Sequence, residues 1–204
     1  MPTEWIILDY RHLLDRRNEK DLVREITSLY HSIVHSIDPL IYSLVEQNAW
    51  SPAPPEIDLW IEKFRKAPPL LAIAPRSPHD ESDSKNAQLH PLEKTNSKTE
   101  PGFQIIGFMN LEMPAQNSPD RTGHIDLAYV ASSFQRMGVA GALYKAVEDQ
   151  AYEHGLIRLT VDASHIARPF FLRLGYRQLT ENQIPRNGLY ITNFTLEKIL
   201  DSKG

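Results

Sequence analysis

Stretches in which apolar residues recur every three or four positions alternate along the chain with short apolar runs. The periodic stretches predict helices over 18–37, 56–66, 138–154 and 166–174. The short runs predict strands over 5–10, 70–74, 103–113, 124–130, 157–163, 176–179 and 189–199. Strands interleaved with helices are typical of an α/β or α+β sheet with at least one parallel crossover.

The composition changes between Pro75 and Pro101. Leu89 and Leu92 are the only aliphatic residues larger than alanine in this segment. Such a segment cannot bury enough apolar surface to offset the entropy of ordering it. We therefore predict one domain, 1–204, with a flexible low-complexity insertion at 75–101. The alternative is two domains divided by this segment, and it is less favoured because the first would have a very small core.

Charge and cysteine content narrow the classes of function. The 204 residues include 22 Lys and Arg against 26 Asp and Glu, a net charge of −4, so the chain lacks the basic surface of a nucleic-acid-binding protein. The absence of cysteine excludes disulfides and cysteine nucleophiles, and it favours a reducing compartment. No apolar run reaches the roughly 18 residues of a membrane helix, and the first ten residues are not typical of a secretory signal. We therefore expect a cytoplasmic protein without nucleic-acid or membrane partners.

The segment from Ile125 to Ala142 carries the chemistry. A predicted strand ends, a short loop follows, and small residues open a helix. The unpaired N–H groups of a helix start carry about half a positive charge, and small residues let an anion approach them. This pattern predicts a phosphate site, to which Arg136 adds a cation. A glycine-rich helix start that merely packs closely on a strand would have the same pattern.

Two phosphate-binding folds fit a strand followed by such a helix. A dinucleotide-binding crossover needs Gly-x-Gly-x-x-Gly directly after the strand and an acid further on, for which Asp162 is a candidate. The loop 131–137 is too long for that motif, and Leu143 stands where its third glycine should be. We therefore disfavour this alternative.

The other fold is indicated by a family resemblance. Gln135-x-x-Gly138-x-Ala140 resembles the pyrophosphate loop of the GNAT superfamily, the acyl-CoA-dependent N-acyltransferases. Residues 163–176 resemble that family's second motif, which is a strand, a helix and then Gly-Tyr. The resemblance implies a mixed, mostly antiparallel sheet of about seven strands and about four helices. Its fourth and fifth strands splay apart around the pantetheine arm of acetyl-CoA, the implied co-substrate, and no metal is required.

The resemblance also implies which residues bind the cofactor. They are Ala128, Val130, Gln135, Arg136, Met137, Gly138, Val139, Ala140, Gly141, Ala142, Ser164, Ala167 and Phe171. Two of these positions depart from the family pattern. Ser164 stands where the family often has Asn, and Phe171 stands where it often has a Tyr that protonates the leaving thiolate.

Acyl transfer to an amine needs a base, and relatives often carry it on the fourth strand. The corresponding residues are His124 and Asp126, which alternate with Ile125 and Leu127 and should share a face. An imidazole changes protonation near neutral pH, whereas Asp126 would orient a water or bind the ammonium. Tyr129 or a water would return a proton to the thiolate. Tyr30, Tyr42 and Trp50 are candidate walls of the acceptor pocket.

We expect an N-acetyltransferase that transfers an acetyl group to a primary amine of a small molecule or peptide. Transfer of a longer acyl group is one alternative. A non-catalytic acyl-CoA-binding sensor or interaction module is another, and Phe171 favours it. His31 and His35 are spaced as zinc ligands can be, but no third ligand accompanies them, so we expect no metal. The sequence is compatible with a homodimer and does not determine the oligomeric state.

Overall fold

The computed structural model describes residues 4–76, 102–115 and 119–201, which form eight strands and six α-helices. The strands are β1 (Ile6–Asp9), β2 (Leu70–Pro75), β3 (Phe103–Met109), β4 (Thr122–Ile125), β5 (Ala128–Val130), β6 (Arg158–Ala163), β7 (Arg177–Arg186) and β8 (Leu189–Ile199). The helices are α1 (Tyr10–Leu14), α2 (Glu19–His35), α3 (Leu44–Trp50), α4 (Ile57–Lys66), α5 (Val139–Glu153) and α6 (Arg168–Arg173).

The strands form two four-stranded sheets. The first has the order β1-β2-β3-β5 and is antiparallel throughout, whereas the second has the order β4-β6-β8-β7 and contains one parallel pair, β4 with β6. The predicted class, a mixed and mostly antiparallel sheet that splays apart midway, is confirmed. The structure has eight strands and six helices rather than about seven and four.

Side chains on the central strands alternate between two helical layers. Leu71 and Ile73 of β2 pack against α2 and α4, and Ala72 and Ala74 of the same strand pack against α5. Because both faces of this strand are covered, its sequence is apolar at every position from 70 to 74. The two layers enclose the sheet, with the start of α5 on one side and α2 and α4 on the other.

The sequence pattern predicted one strand over 124–130, and this prediction is wrong in one respect. The chain forms β4, leaves the second sheet after Ile125, and joins the first sheet as β5. Asn110 stabilises the break with two hydrogen bonds to Leu127. Its side-chain Oδ1 accepts the Leu127 N–H at 2.8 Å, and its backbone N–H donates to the Leu127 carbonyl at 3.1 Å. The alternation of polar and apolar residues continues through the break, so the pattern could not reveal it.

Helix α3 was missed from the sequence because its apolar residues do not follow a buried stripe. Leu44 and Val45 are exposed, and α3 is only seven residues long. A local signal was nevertheless present, since Ser43 and Glu46 form a reciprocal capping box at its start.

Most of the predicted insertion, residues 77–101, lies outside the described residues. The single-domain assignment therefore stays a prediction. Within the described ranges, no helix combines the length and apolar character that crossing a membrane requires.

Candidate active site

A cleft opens where the two sheets part. Strand β4 pairs with β6 only as far as Ile125 opposite Val161, and beyond that point β5 pairs with β3 instead. Gly107 on β3 permits this close pairing, because a Cβ there would lie 2.9 Å from the Tyr129 carbonyl oxygen. The cleft walls include seven of the predicted site residues, namely Trp50, Asp126, Ala128, Tyr129, Ser164, Ala167 and Phe171.

Every second residue of β5 directs its backbone N–H and C=O groups towards this cleft. Leu127 and Ala131 direct their N–H groups to β3, where they bond to Asn110 Oδ1 and the Ile106 carbonyl. Successive residues of a strand point their backbone groups to opposite sides, so Ala128 and Val130 direct theirs away from β3 and towards the gap. The Val130 carbonyl accepts Gln135 Nε2 at 3.3 Å, which agrees with this orientation. An exposed strand edge of this kind can bind an extended ligand.

Helix α5 begins beside the same strand with an uncapped first turn. Gly138 adopts φ +86°, a left-handed conformation that favours glycine, and no side chain caps the helix N-terminus. The residues leading into the helix, Gln135 to Gly138, are exposed, and so is Gly141 in its first turn. The Val139 side chain is buried in the core, so only its backbone is available. These features together are suited to an anion.

The wall formed by β6 and α6 contains the two residues that depart from the family pattern. Ser164 Oγ accepts the Ala167 N–H at 3.2 Å, which leaves the hydroxyl hydrogen free to donate elsewhere. Phe171 is fully buried and contributes only an apolar surface. No proton donor is therefore present at position 171.

Asp126 is the acidic group at the first-sheet side of the cleft. Its Oδ2 is buried and lies 2.5 Å from Lys63 Nζ of α4, as an ion pair without an aligned hydrogen bond. The side chains of both residues are only partly exposed, at 26% and 33%, so solvent screens the pair incompletely. Lys63 was not identified from the sequence, because nothing in the pattern of α4 links it to a residue 63 positions later.

Tyr129 joins the cleft to a cluster of aromatic rings. Its ring lies 4.9 Å from that of Tyr30, and the Tyr30 ring lies 5.2 Å from that of Trp60. Burial, reinforced by the nearby Tyr30 hydroxyl and Asp126 charge, raises the pKa of Tyr129 well above its ordinary value. The Tyr129 phenol therefore keeps its proton at neutral pH. Trp50 lines the cleft beside this cluster.

Three of the predicted catalytic and acceptor residues, Tyr30, Tyr42 and His124, are not part of the cleft lining, although Tyr30 packs on Tyr129. Tyr42 is 1% exposed; its hydroxyl donates to the Thr192 carbonyl at 2.8 Å and accepts the His165 N–H at 3.0 Å, so it fastens α3 to the second sheet. His124 pairs through Nδ1 with Thr160 Oγ1 at 2.9 Å and is not part of the cleft lining. The expected common face of His124 and Asp126 is lost because the strand breaks between them.

Outside this cleft, the described part of the chain has a second depression but no metal site. Among the described residues, no group of three His, Asp or Glu side chains is arranged to hold a metal ion. A wider depression between α2 and residues 54–58 shares no lining residue with the cleft. Of the four charged residues that line it, Lys20 and Asp58 pair with each other and Arg24 pairs with Asp21 outside the lining, which leaves Glu56.

Comparison with known proteins agrees with this geometry. The sequence profile of the acetyltransferase (GNAT) domain matches residues 80–198, more than half of the chain. The chain belongs to the GNAT family of acetyltransferases. It is 38% identical over 71 residues to the uncharacterized N-acetyltransferase YafP of Escherichia coli K12. That alignment covers 35% of this chain and 44% of YafP, so it spans less than half of that relative.

Solved structures of GNAT proteins share the fold over nearly the whole chain. The GCN5-related N-acetyltransferase of Rhodopseudomonas palustris superposes with a TM-score of 0.66 at 23% identity, covering 98% of this chain and 99% of that one. The acetyltransferase YncA of Salmonella typhimurium, solved with its cofactor acetyl-CoA, gives 0.57 at 13% identity over 99% and 97%. These identities are low, so the likeness concerns the fold alone.

Proposed function

We propose that this GNAT protein transfers an acetyl group from acetyl-CoA to a primary amine of a small molecule or peptide. The observation that carries the proposal is the cleft between β5 and β6, which opens beside the uncapped first turn of α5. YncA has the same fold and was solved with acetyl-CoA. The absence of cysteine is the support for a cytoplasmic location.

In this proposal the turn into α5 binds the diphosphate of acetyl-CoA. The N–H groups from Arg136 to Gly141 are its donors, and the exposed Arg136 adds a cation. The Gln135 and Ala142 N–H groups already donate to the Ser132 and Gly138 carbonyls, so these two residues shape the turn around the diphosphate. The proposal assigns the pantetheine arm to the cleft. There the backbone groups of Ala128 and Val130 face Ser164, Ala167 and Phe171 across the gap.

Acetyl-CoA supplies a thioester carbonyl, which the amine attacks while the thiolate leaves. Asp126 binds the acceptor's ammonium and receives its proton, directly or through one water. The N–H of Val130 is available to donate to the carbonyl oxygen as negative charge develops there. The raised pKa of Tyr129 disfavours a free phenolate, so its phenol gives a proton to the thiolate while it takes up the second proton of the amine nitrogen, directly or through a water. It thus replaces the missing hydroxyl at Phe171.

The diphosphate site is tested by placing an acid in the turn. Gly138→Glu should weaken acetyl-CoA binding at least about tenfold in calorimetry, because bulk and negative charge would occupy the position of the phosphates. Gly188→Glu is the matched control: it too has positive φ, at +83°, and open space for a Cβ, so both variants bear similar backbone strain. Equal affinity in the two variants would contradict the proposal.

Turnover is tested separately by measuring thiol release from acetyl-CoA in the presence of a panel of primary amines. Release that depends on the amine supports acetyl transfer. Binding of acetyl-CoA without thiol release in the presence of any amine of the panel would instead support the sensor alternative, which Phe171 favours. Release only from longer acyl-CoA donors would indicate a different acyl chain.

A further inference from the structure

The tip of the β7–β8 hairpin is fastened beside Trp50, a predicted wall of the acceptor pocket, and we call this part of the cleft the acceptor side. Asn187 and Gly188 form the turn with φ +46° and +83°, and Asn187 Nδ2 donates to the Ala49 carbonyl of α3 at 2.9 Å. The residue after Ala49 is Trp50, which lines the cleft. This contact fixes the hairpin tip beside the wall of the cleft that Trp50 forms.

Arg186, the last residue of β7, is an exposed cation at this tip. Within the described ranges it forms no ion pair with a carboxylate. Arg186 is the cross-strand partner of Leu189, which packs in one cluster with Ala49 and Trp50, so Arg186 lies on the face of the hairpin that is turned to α3. The electrostatics of the aromatic cluster agree with this position. Burial raises the pKa of the Tyr30 hydroxyl, the Arg186 cation opposes that rise, and the Asp126 charge adds to it. Tyr30 therefore lies within the field of both Asp126 and Arg186.

The balance of charge around the acceptor side indicates what kind of amine fits. Asp126 is already paired with Lys63, so Arg186 is a second cation without a matching acid. Asp162, the other acid of the cleft, lies on the β6 side and accepts a hydrogen bond from Thr195 at 2.6 Å. An acceptor with only an ammonium group would meet Arg186 as a like charge. An acceptor that also carries an anion would pair with it.

We propose that the acceptor is an amino carboxylate, whose amine binds at Asp126 and whose carboxylate binds Arg186 at the hairpin tip. A guanidinium presents two parallel donors that match the two oxygens of a carboxylate. The rings of Trp50 and Tyr129 line the cleft together with Asp126, and the Tyr30 ring lies 4.9 Å from that of Tyr129, so the bound acceptor would meet an aromatic surface. This inference rests on the proposed acetyl transfer for its account of what the amine does, but its binding claim can be tested without turnover.

The test compares matched acceptors that differ only in the carboxylate. Calorimetry in the presence of CoA measures binding of ω-amino acids of increasing length against n-alkylamines of the same length, and of phenylalanine against 2-phenylethylamine. For at least one chain length, the wild type should bind the carboxylated member at least about tenfold more tightly, as one charge-assisted contact provides. Arg186→Gln should remove that preference and strengthen alkylamine binding slightly, because it removes a like charge, whereas Arg186→Lys should keep part of the preference.

Arg173→Gln, an exposed arginine at the end of α6, is the control and should retain the full preference. Two results would overturn the inference: no preference at any length in the wild type, or a preference that survives in Arg186→Gln. If the wild type prefers carboxylated acceptors but releases no thiol with any of them, the proposed acetyl transfer is contradicted while the inference about acceptor binding is supported.

Discussion

At the scale of single residues, the site depends on the carboxylate of Asp126, which does not share a face with His124 as the sequence had suggested. Asp126 and His124 are two residues apart, yet only Asp126 reaches the cleft. His124 is held by Thr160 on β6 through a side-chain hydrogen bond. The local alternation of residues placed both on one face, but the tertiary contact between Asn110 and Leu127 separates them.

This difference predicts unequal effects of replacing the two residues. Asp126→Asn keeps the shape of the side chain but removes the group that receives the proton, so kcat/KM for the amine should fall by about 100-fold or more. His124→Ala should change it only a few-fold, and both variants should bind acetyl-CoA as the wild type does. Steady-state kinetics with a saturating acetyl donor and calorimetry provide the comparison. A larger loss in His124→Ala than in Asp126→Asn would reverse the assignment.

At the scale of elements, α2 fastens the segment that carries Trp50. His31 Nδ1 pairs with Ser51 Oγ at 2.9 Å, and His35 Nε2 donates to the Ser51 carbonyl at 2.8 Å. The two imidazole rings are 4.3 Å apart. Burial, together with the neighbouring His35, lowers the pKa of His31 below its ordinary value. The lowered pKa favours the neutral form of His31, and the two histidines together act as a clamp on Ser51, the residue that follows Trp50.

The clamp predicts a dependence of stability on pH. Because the pKa of His31 is lower in the folded chain, the unfolded chain binds more protons as the pH falls through about 6.5, and folding loses stability in that window. Replacing His31 with Gln removes this titration. The fall in Tm between pH 7.5 and pH 5.5 should be smaller in His31→Gln than in the wild type.

His154→Gln is the control for this measurement. His154 is exposed, at the end of α5, and also makes one hydrogen bond through Nδ1, to the Gln150 carbonyl at 2.8 Å. It should keep the pH dependence of the wild type. An identical fall in Tm for His31→Gln and the wild type would show that the clamp does not titrate.

Elements also show how far the sequence could predict this structure. The helices α2, α4 and α5 were predictable because each buries a continuous apolar stripe. The turn into α5 was predictable as a candidate anion site because its residues are adjacent in the chain. The roles of Lys63 and Arg186 were not predictable. The Lys63–Asp126 ion pair and the Asn187–Ala49 contact that fixes the tip beside Arg186 join distant parts of the chain and leave no local pattern.

At the scale of the whole molecule, the two sheets part because Asn110 replaces a regular strand pairing at one point. Its side-chain oxygen substitutes for a backbone carbonyl opposite Leu127, so the chain can end β4 and begin β5 without exposing that N–H. Asn110 is 1% exposed, and its Nδ2 is buried without a hydrogen-bond partner in the described residues. A buried donor without a partner destabilises the fold, and this one lies where the two sheets part to open the cleft.

Asn110→Ala should therefore destabilise the protein and weaken the site together. The variant leaves the buried Leu127 N–H without an acceptor, which costs about 1–3 kcal/mol. For a chain of this size each kcal/mol lowers Tm by about 2–4 °C, which thermal denaturation can measure. Asn48→Ala, at an exposed position of α3, should change stability by less than about 0.5 kcal/mol.

Because Asn110 sets where β5 departs from β4, we also expect weaker acetyl-CoA binding by Asn110→Ala at temperatures where it is fully folded. An Asn110→Ala protein with unchanged Tm and unchanged affinity would mean that the sheets part for another reason, such as the packing of α5 against them.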